Sequence, residues 1–320
     1  MSGTVASSAV LPPKVAVLGF ARSGRALTQV LLERGVGVTV VDDRPRNAFE
    51  GTAELERSGV RFFFGGSDPR RESDPTDPLD GADWLALSPG VPPTHSIVLA
   101  ARRRGLPVLS EIEIAWRIAE AEATGCHRWV AVTGTNGKST TTAWIAEILR
   151  FGTRPVALAG NIGAPLSGFL GDRAPRDFVC ELSSFQLETV ERFRPDVAVL
   201  TNVTPDHLDR YATLEDYAAT KERIFSNQRE SDFAVVNADD PISSRARPPA
   251  TGARRENGTR RARGRARLEI GSFRKRGVRA TTSCLRTDCR CPARTTWRTR
   301  SRLSPPPSVS KPRPPRSRRG

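Results

Sequence analysis

"RWVAVTGTNGKSTTTAWIAEILRFG" occupies residues 128–152. Its first seven residues form an apolar, β-branched run ending in glycine, the pattern of a buried parallel strand. From Lys138 the spacing predicts a helix to Gly152, with Trp144, Ile145, Ile148 and Leu149 on its apolar face. Between strand and helix lie Gly134, Thr135, Asn136 and Gly137. A glycine-rich turn in this position points backbone N–H groups at one spot, where the helix dipole also favours an anion. Lys138 adds a mobile positive charge for the β- and γ-phosphates, and Ser139 or Thr140 can offer a hydroxyl to Mg²⁺. The strict phosphate-loop pattern asks for glycine five residues before Gly137, where Val132 stands, so the literal motif fails by one residue. A plain strand–turn–helix would need neither the lysine nor the two hydroxyls, and phosphate binding is the reading adopted.

Upstream, the same alternation recurs. "KVAVLG" (14–19) reads as a buried strand, "GRALTQVLLERG" (24–35) as a helix and "VGVTVVDD" (36–43) as the next strand, one βαβ unit of an α/β fold. Residues 19–24, "GFARSG", match the dinucleotide fingerprint imperfectly, with alanine for the second glycine. Asp42 falls where a carboxylate would meet a ribose or sugar hydroxyl, and a solvated strand end accounts for it equally well. A loop-rich stretch (68–83) precedes "WLALSPGVPP" (84–93), a strand running into a Ser-Pro-Gly turn. "LSEIEIAWRIAEAEA" (109–123) is amphipathic and suited to bridging two domains.

Downstream, "PVALAG" leads into "GNIG" (160–163), where Asn161 reads as a turn residue. "DFVCELSSFQLE" (177–188) is a strand emerging at Glu181, followed by Ser183 and Ser184. A carboxylate at the end of a central strand, after the phosphate loop, is where a Mg²⁺ ligand belongs. "DVAVLTNVTPDHLDRY" (196–211) ends in a polar cluster of Asp206, His207, Asp209 and Arg210. "TLEDYAATKERIF" (213–225) opens with a capping box, Thr213 to Asp216, and composition alone makes Lys221 a solvated helix lysine.

Charge divides the chain sharply. The 320 residues carry a net +15, which suggests nucleic acid. Yet residues 245–320 hold 24 of the 50 Lys/Arg and only 3 of the 35 Asp/Glu, leaving 26 basic against 32 acidic residues in 1–244. The longer part is mildly acidic. Residues 245–320 are rich in arginine and proline, with no helical or strand period and too little apolar content for a core. Cys284, Cys289 and Cys291 lack a histidine or paired CxxC to make a zinc site. A basic arm for nucleic acid is one reading of this segment, and a GC-rich gene read out of frame is another, which we favour. The N-terminus lacks the pattern of a signal peptide and no run suits a membrane helix, so a cytoplasmic chain is expected.

"TGTNGKST", "GNIG", "ELSSFQLE", "NVTPDHLDRY" and "NADD", in this order, resemble the Mur ligases, ATP-dependent enzymes that add amino acids to the cytoplasmic precursor of peptidoglycan. "ELSSFQLE" and the early "SPG" resemble the branch that joins D-glutamate to UDP-N-acetylmuramoyl-L-alanine. The resemblance covers residues 14–242. It implies a Rossmann-like UDP-sugar-binding domain (1–112), a phosphate-loop ATPase α/β domain (113–244) left incomplete, and a disordered basic tail (245–320). It implies ATP on Gly134, Thr135, Asn136, Gly137, Lys138, Ser139 and Thr140. Mg²⁺ is implied on Ser139, Glu181, His207 and Lys221, the lysine being one the family carbamylates. The resemblance places Asn161, Ser183 and Ser184 near the muramoyl group, and Arg22, Ser23, Asp42, Asp43 and Arg44 at the uridine diphosphate. Lys138, Lys221 and His207 become the catalytic set. A monomer that binds no specific nucleic acid is expected, inactive as written for want of a third domain. A non-catalytic UDP-sugar-binding remnant and a basic-tailed nucleic-acid binder are the alternatives.

Overall fold

In a computed structural model of the chain, residues 10–65 and 77–246 are described. The cysteine cluster and nearly all of the basic segment lie outside them, as does most of the loop-rich stretch at 68–83.

The first sheet begins with β1 (Lys14–Leu18), continues through helix α1 (Arg22–Glu33) to β2 (Gly37–Asp42), and then through the short α2 (Thr52–Arg57) to β3 (Arg61–Phe64). β4 (Trp84–Leu87), α3 (Ser96–Arg103) and β5 (Val108–Ser110) follow. All strands are parallel, in the order β3-β2-β1-β4-β5. Val15, Val17 and Val40 are fully buried because helices cover both faces of such a sheet, which explains unbroken apolar runs such as "VAVL". α1 starts two residues before the expected Gly24 and buries Leu27, Val30 and Leu31.

Helix α4 (Glu111–Glu122) carries the chain across to the second sheet. Ser110 caps it, and Ile112, Ile114 and Ile118 are buried, while Trp116 meets Phe193 edge-on with ring centroids 6.1 Å apart. Glu113, wholly buried, accepts from the amides of Glu191, Arg192 and Phe193 and from Arg117 Nε at 2.6 Å. A buried carboxylate is tolerated only when its oxygens are bonded in this way. Glu111 Oε1 accepts from both the amide and the hydroxyl of Ser167, in a 3₁₀ turn at Leu166–Phe169. The amphipathic segment thus contacts elements of both sheets.

The second sheet comprises β6 (Arg128–Thr133), β7 (Val156–Gly160), β8 (Asp177–Glu181), β9 (Val197–Leu200) and β10 (Phe233–Val236), parallel in the order β10-β9-β6-β8-β7. Helices α5 (Lys138–Arg150), α6 (Ser184–Leu187) and α7 (Leu214–Glu222) connect or flank them. β6 lies between β8 and β9, at the point where the connections diverge, and ligands of open parallel sheets sit at the carboxyl ends of the strands there.

α5 corrects the sequence reading. Its buried residues are Thr142 and Ala146, whereas Trp144 is 69% and Ile148 67% exposed, and Phe151 beyond them is 93% exposed. Small side chains let this helix lie close to β7 and β8, and Thr142 turns its hydroxyl back to Lys138 O at 2.7 Å. The bulkier apolar residues are displaced to the flank, with Ile145 and Leu149 half-buried. The capping box at α7 is also only half formed: Thr213 accepts from the Asp216 amide, but Asp216 takes the Thr213 hydroxyl, not its N–H.

Candidate active site

The turn after β6 is held from one side by the segment after β9. Thr135 donates its amide to Asn202 O and Asn136 donates to Asn202 Oδ1, both at 2.9 Å. Asn136 O accepts from Thr201 Oγ1 at 2.7 Å and Asn202 Nδ2 at 3.0 Å, and Thr135 Oγ1 accepts from the Thr204 amide. So braced, the chain enters α5 through Gly137, and no side chain caps the first helical turn. Capping is the usual fate of those amides, and an uncapped, exposed N-terminus beside a lysine suits an anion. Ser139 and Thr140 are exposed, and Lys138 Nζ lies back on Thr135 O at 2.8 Å.

Lys221 on α7 is 1% exposed and donates from Nζ to Gly134 O at 2.8 Å. It is not the solvated helix lysine that composition suggested. Burial above all, and then the positive charge of Lys138, lower its pKa to about 7, with Asp206 opposing. Its Nζ also sits 4.4 Å from the Tyr217 ring centroid, and the Tyr217 hydroxyl meets Thr135 Oγ1 at 3.4 Å. His207 joins the group, its ring centroid 4.8 Å from that of Phe185 and 6.2 Å from that of Tyr217.

Glu181, at the end of β8, pairs in register with Val132 of β6 and Gly160 of β7. Asn161 is more than a turn residue: its amide donates to Glu181 O at 2.9 Å and its Nδ2 to Glu181 Oε1 at 2.7 Å. Glu181 Oε2 is buried without a partner. An orphaned buried carboxylate oxygen calls for an explanation, and a hard cation is a fitting one. Among the described residues no three His, Cys, Asp or Glu side chains are gathered as a ready metal set. Glu181 and the exposed Ser139 hydroxyl are suitable oxygen donors. Ser183 caps α6 in a full capping box with Gln186, and Ser184 is buried beneath it.

The first sheet carries its own turn. Gly19 donates to Val41 O at 2.8 Å, and its carbonyl accepts from Ser88 Oγ at 2.8 Å. A Cβ on Gly24 would lie 1.9 Å from Gly19 O, which is why glycine stands there. Asp42 is neither solvated nor free. It is 5% exposed, accepts from the Phe20 amide at 2.7 Å and takes Arg44 in a two-pronged ion pair. Burial would raise its pKa, but hydrogen bonds from Arg44 and from the Phe20 amide outweigh it and hold the carboxyl below its ordinary value. Arg44 lies 4.5 Å over the Phe49 ring. Asp43 is held by His95, whose Nδ1 accepts from the Ile97 amide, so Nε2 carries the proton donated to the carboxylate at 3.1 Å. Ser23 sits half-buried in the first turn of α1, where no side chain caps the helix. Arg22 reaches across to Gly163 O, placing the first turn against the "GNIG" loop.

The sequence-predicted residues thus fall into two groups. Lys138, Thr135, His207 and Lys221 gather around Tyr217, with Glu181 and Asn161 on the neighbouring strand end. Arg22, Asp42, Asp43 and Arg44 surround the first turn. Sequence reasoning assigned no part to Thr201, Asn202 and Thr204, which brace the phosphate loop, nor to Glu188 and His95. Short-range patterns contain no signal for partners that lie 22 to 69 residues away along the chain.

Tandem parallel sheets, each with a strand–glycine turn–helix at its carboxyl edge and the second bearing a lysine there, define a two-part nucleotide-binding α/β protein. The family model "Mur ligase MurD-like, N-terminal domain" matches residues 13–110, and "Mur ligase middle domain" matches residues 132–265. The chain is 43% identical over 233 residues to the UDP-N-acetylmuramoylalanine--D-glutamate ligase of Pelotomaculum thermopropionicum, covering 72% of this chain and 48% of the relative. It is 44% identical over 232 residues to the protein of the same name from Syntrophotalea carbinolica, covering 72% and 49%. With that of Geobacillus kaustophilus the identity is 41% over 231 residues, covering 72% and 48%. The chain belongs to the Mur ligase family, whose members are ATP-dependent amide ligases of peptidoglycan synthesis. It spans about half the length of the curated relatives it matches.

Proposed function

We propose that the described residues carry the UDP-sugar-binding and acyl-phosphate-forming parts of a ligase that joins D-glutamate to UDP-N-acetylmuramoyl-L-alanine. The observation that carries this reading is the phosphate loop, braced by Thr201–Thr204, open at the α5 N-terminus and flanked by Lys138 and the depressed Lys221. In the proposed reaction the carboxylate of the substrate takes the γ-phosphoryl group of ATP, releasing ADP. The amine of D-glutamate then attacks the acyl carbon, and phosphate leaves as the amide forms and the nitrogen loses a proton.

Lys138 and the amides of Lys138–Thr140 hold and neutralise phosphate oxygens, the usual source of catalysis in phosphoryl transfer. Mg²⁺ would neutralise charge on the transferring group, and Glu181, Ser139 and His207 would hold it. Asn161 steers the Glu181 carboxylate by its bond to Oε1. Lys221, with a pKa of about 7, is substantially neutral at physiological pH, the form an amine needs to take up carbon dioxide as a carbamate. Asp42, by closing the 19–24 turn onto Arg44, shapes the loop against which a uridine diphosphate would rest, with Arg22 and Ser23 at the helix N-terminus.

Calorimetric titration of the full chain tests the reading. UDP-N-acetylmuramoyl-L-alanine should bind in preference to NAD, and ADP with Mg²⁺ should bind independently at the second site. Tighter binding of NAD would instead make the first sheet a dinucleotide domain and overturn the proposal.

A further inference from the structure

His207 is the one non-glycine residue among those described with a left-handed backbone, at φ 52°. Such a conformation in a side-chain-bearing residue persists only where the surroundings over-determine it. Here they do. The His207 carbonyl accepts from the amides of Arg210 at 2.9 Å and Tyr211 at 3.1 Å. The side chains of those same two residues converge on one carboxylate, Glu188, at the end of "ELSSFQLE". Glu188 accepts from Arg210 Nε at 2.9 Å and Nη2 at 2.6 Å, and from the Tyr211 hydroxyl at 2.6 Å. Glu188 and Arg210 are only 15% and 10% exposed, so this ion pair is sheltered from solvent screening. The Arg210 guanidinium lies 4.1 Å over the Phe185 ring, and the His207 imidazole rests 4.8 Å from the same ring. Arg210 Nη2 also reaches Val91 O, in the turn after β4 of the first sheet.

We propose that Glu188 is a positioning residue: through Arg210 and Tyr211 it sets the backbone of His207 and holds its imidazole between the Phe185 and Tyr217 rings. The proposal rests on the metal-holding role given to His207 above. Glu188 touches neither nucleotide nor metal in this scheme. It acts as the outer partner of a ligand, the kind of group whose loss typically lowers metal affinity by about 10–100-fold. The contact to Val91 places the same clasp against the first domain.

The chain contains three histidines, His95, His127 and His207, so their imidazole NMR signals can be assigned by replacing each in turn. In the full wild-type chain, His207 should show ring-current-shifted protons and cross-relaxation to Phe185. Glu188→Gln, which keeps the shape but loses the charge, should move the His207 signals and abolish those cross-peaks while leaving His95 and His127 in place. It should also weaken Mn²⁺ binding in the presence of ADP by about 10–100-fold. Unmoved His207 signals in a folded Glu188→Gln chain would overturn the proposal, whatever the loss of thermal stability. If all three histidines shift, the variant has unfolded, and Tyr211→Phe, which removes a single hydroxyl from the clasp, decides by the same criterion. If Mn²⁺ fails to broaden His207 in the wild-type chain, the metal role fails, and the Phe185 cross-peaks alone decide the positioning.

Discussion

The two glycine turns make the same local structure from different materials. In each, a parallel strand ends, a glycine turns the chain, and a helix of 12 or 13 residues begins without a side-chain cap. The first turn, 19–24, is closed by neighbours within its own sheet: Ser88 from β4's end and Asp42 from β2's end. It has Arg22 but no lysine, and Arg22 is committed to Gly163 O. The second turn, 134–138, is braced by β9's end and has two lysines beside it, Lys221 being depressed chiefly by burial and further by the charge of Lys138. It also has a buried carboxylate oxygen left without a partner on the next strand. A helix N-terminus alone can hold a phosphate, whereas moving a phosphoryl group also calls for mobile charge and metal oxygens. On the proposed reading, the first turn would grip a ligand and the second would react with one.

A substitution that disrupts one turn and spares the other should separate the two ligands. A Cβ on Gly134 would lie 1.9 Å from Thr201 Oγ1 at a backbone φ of 147°, so Gly134→Ala combines a clash with a forbidden conformation. A loss of about 3 kcal/mol or more is expected in urea unfolding, with nucleotide binding abolished. Gly24→Ala has a negative φ to accommodate but the same 1.9 Å approach, to Gly19 O. It should cost about 1–3 kcal/mol and weaken the UDP ligand while sparing ADP. Equal damage to both ligands by either variant would mean that the turns do not act separately.

Next in size, Lys138→Ala should weaken ADP or an ATP analogue by about 10–100-fold, the loss of charge-assisted contacts worth about 1.5–3 kcal/mol. Calorimetry should find the affinity for UDP-N-acetylmuramoyl-L-alanine unchanged.

Lys221 supplies a pH signature. Its amine loses its proton near pH 7 in the folded chain, against an ordinary value of 10.5. Between those limits the unfolded state binds more protons, so stability should rise with pH, by at most about 1.4 kcal/mol per unit. Below about pH 7 the penalty for the buried ammonium is present in full. In buffer free of carbon dioxide, the stability of wild type relative to Lys221→Met should therefore climb as pH rises from about 7. A flat difference would show that the amine is not depressed.

The smallest effect belongs to the flank of α5. Trp144→Ser removes a side chain that is 69% exposed, so unfolding free energy should change by no more than about 0.5 kcal/mol. Binding of a hydrophobic dye should fall, because Trp144, Ile148 and Phe151 present an apolar stripe. A large loss of stability would restore the buried face that helical periodicity suggested.

Much was legible in the linear pattern. Apolar runs ending in glycine marked β1 and β6, because a strand covered on both faces must be apolar throughout, and the turn and helix after each followed from chain-local chemistry. Lys138, Glu181 and His207 could be singled out because strand ends at the carboxyl edge of a parallel sheet are where ligands sit. Every property that depends on distant partners came instead from the packing. It buried Lys221 against Gly134 O and lowered its pKa, turned Asp42 inward onto Phe20 and Arg44, and left Trp144 outside the core. Packing also joined Glu188 to Arg210 and Tyr211, which lie 22 and 23 residues further along the chain. Periodicity reports which faces of an element are apolar, but desolvation and charge pairing depend on which surfaces meet, and those are set by packing.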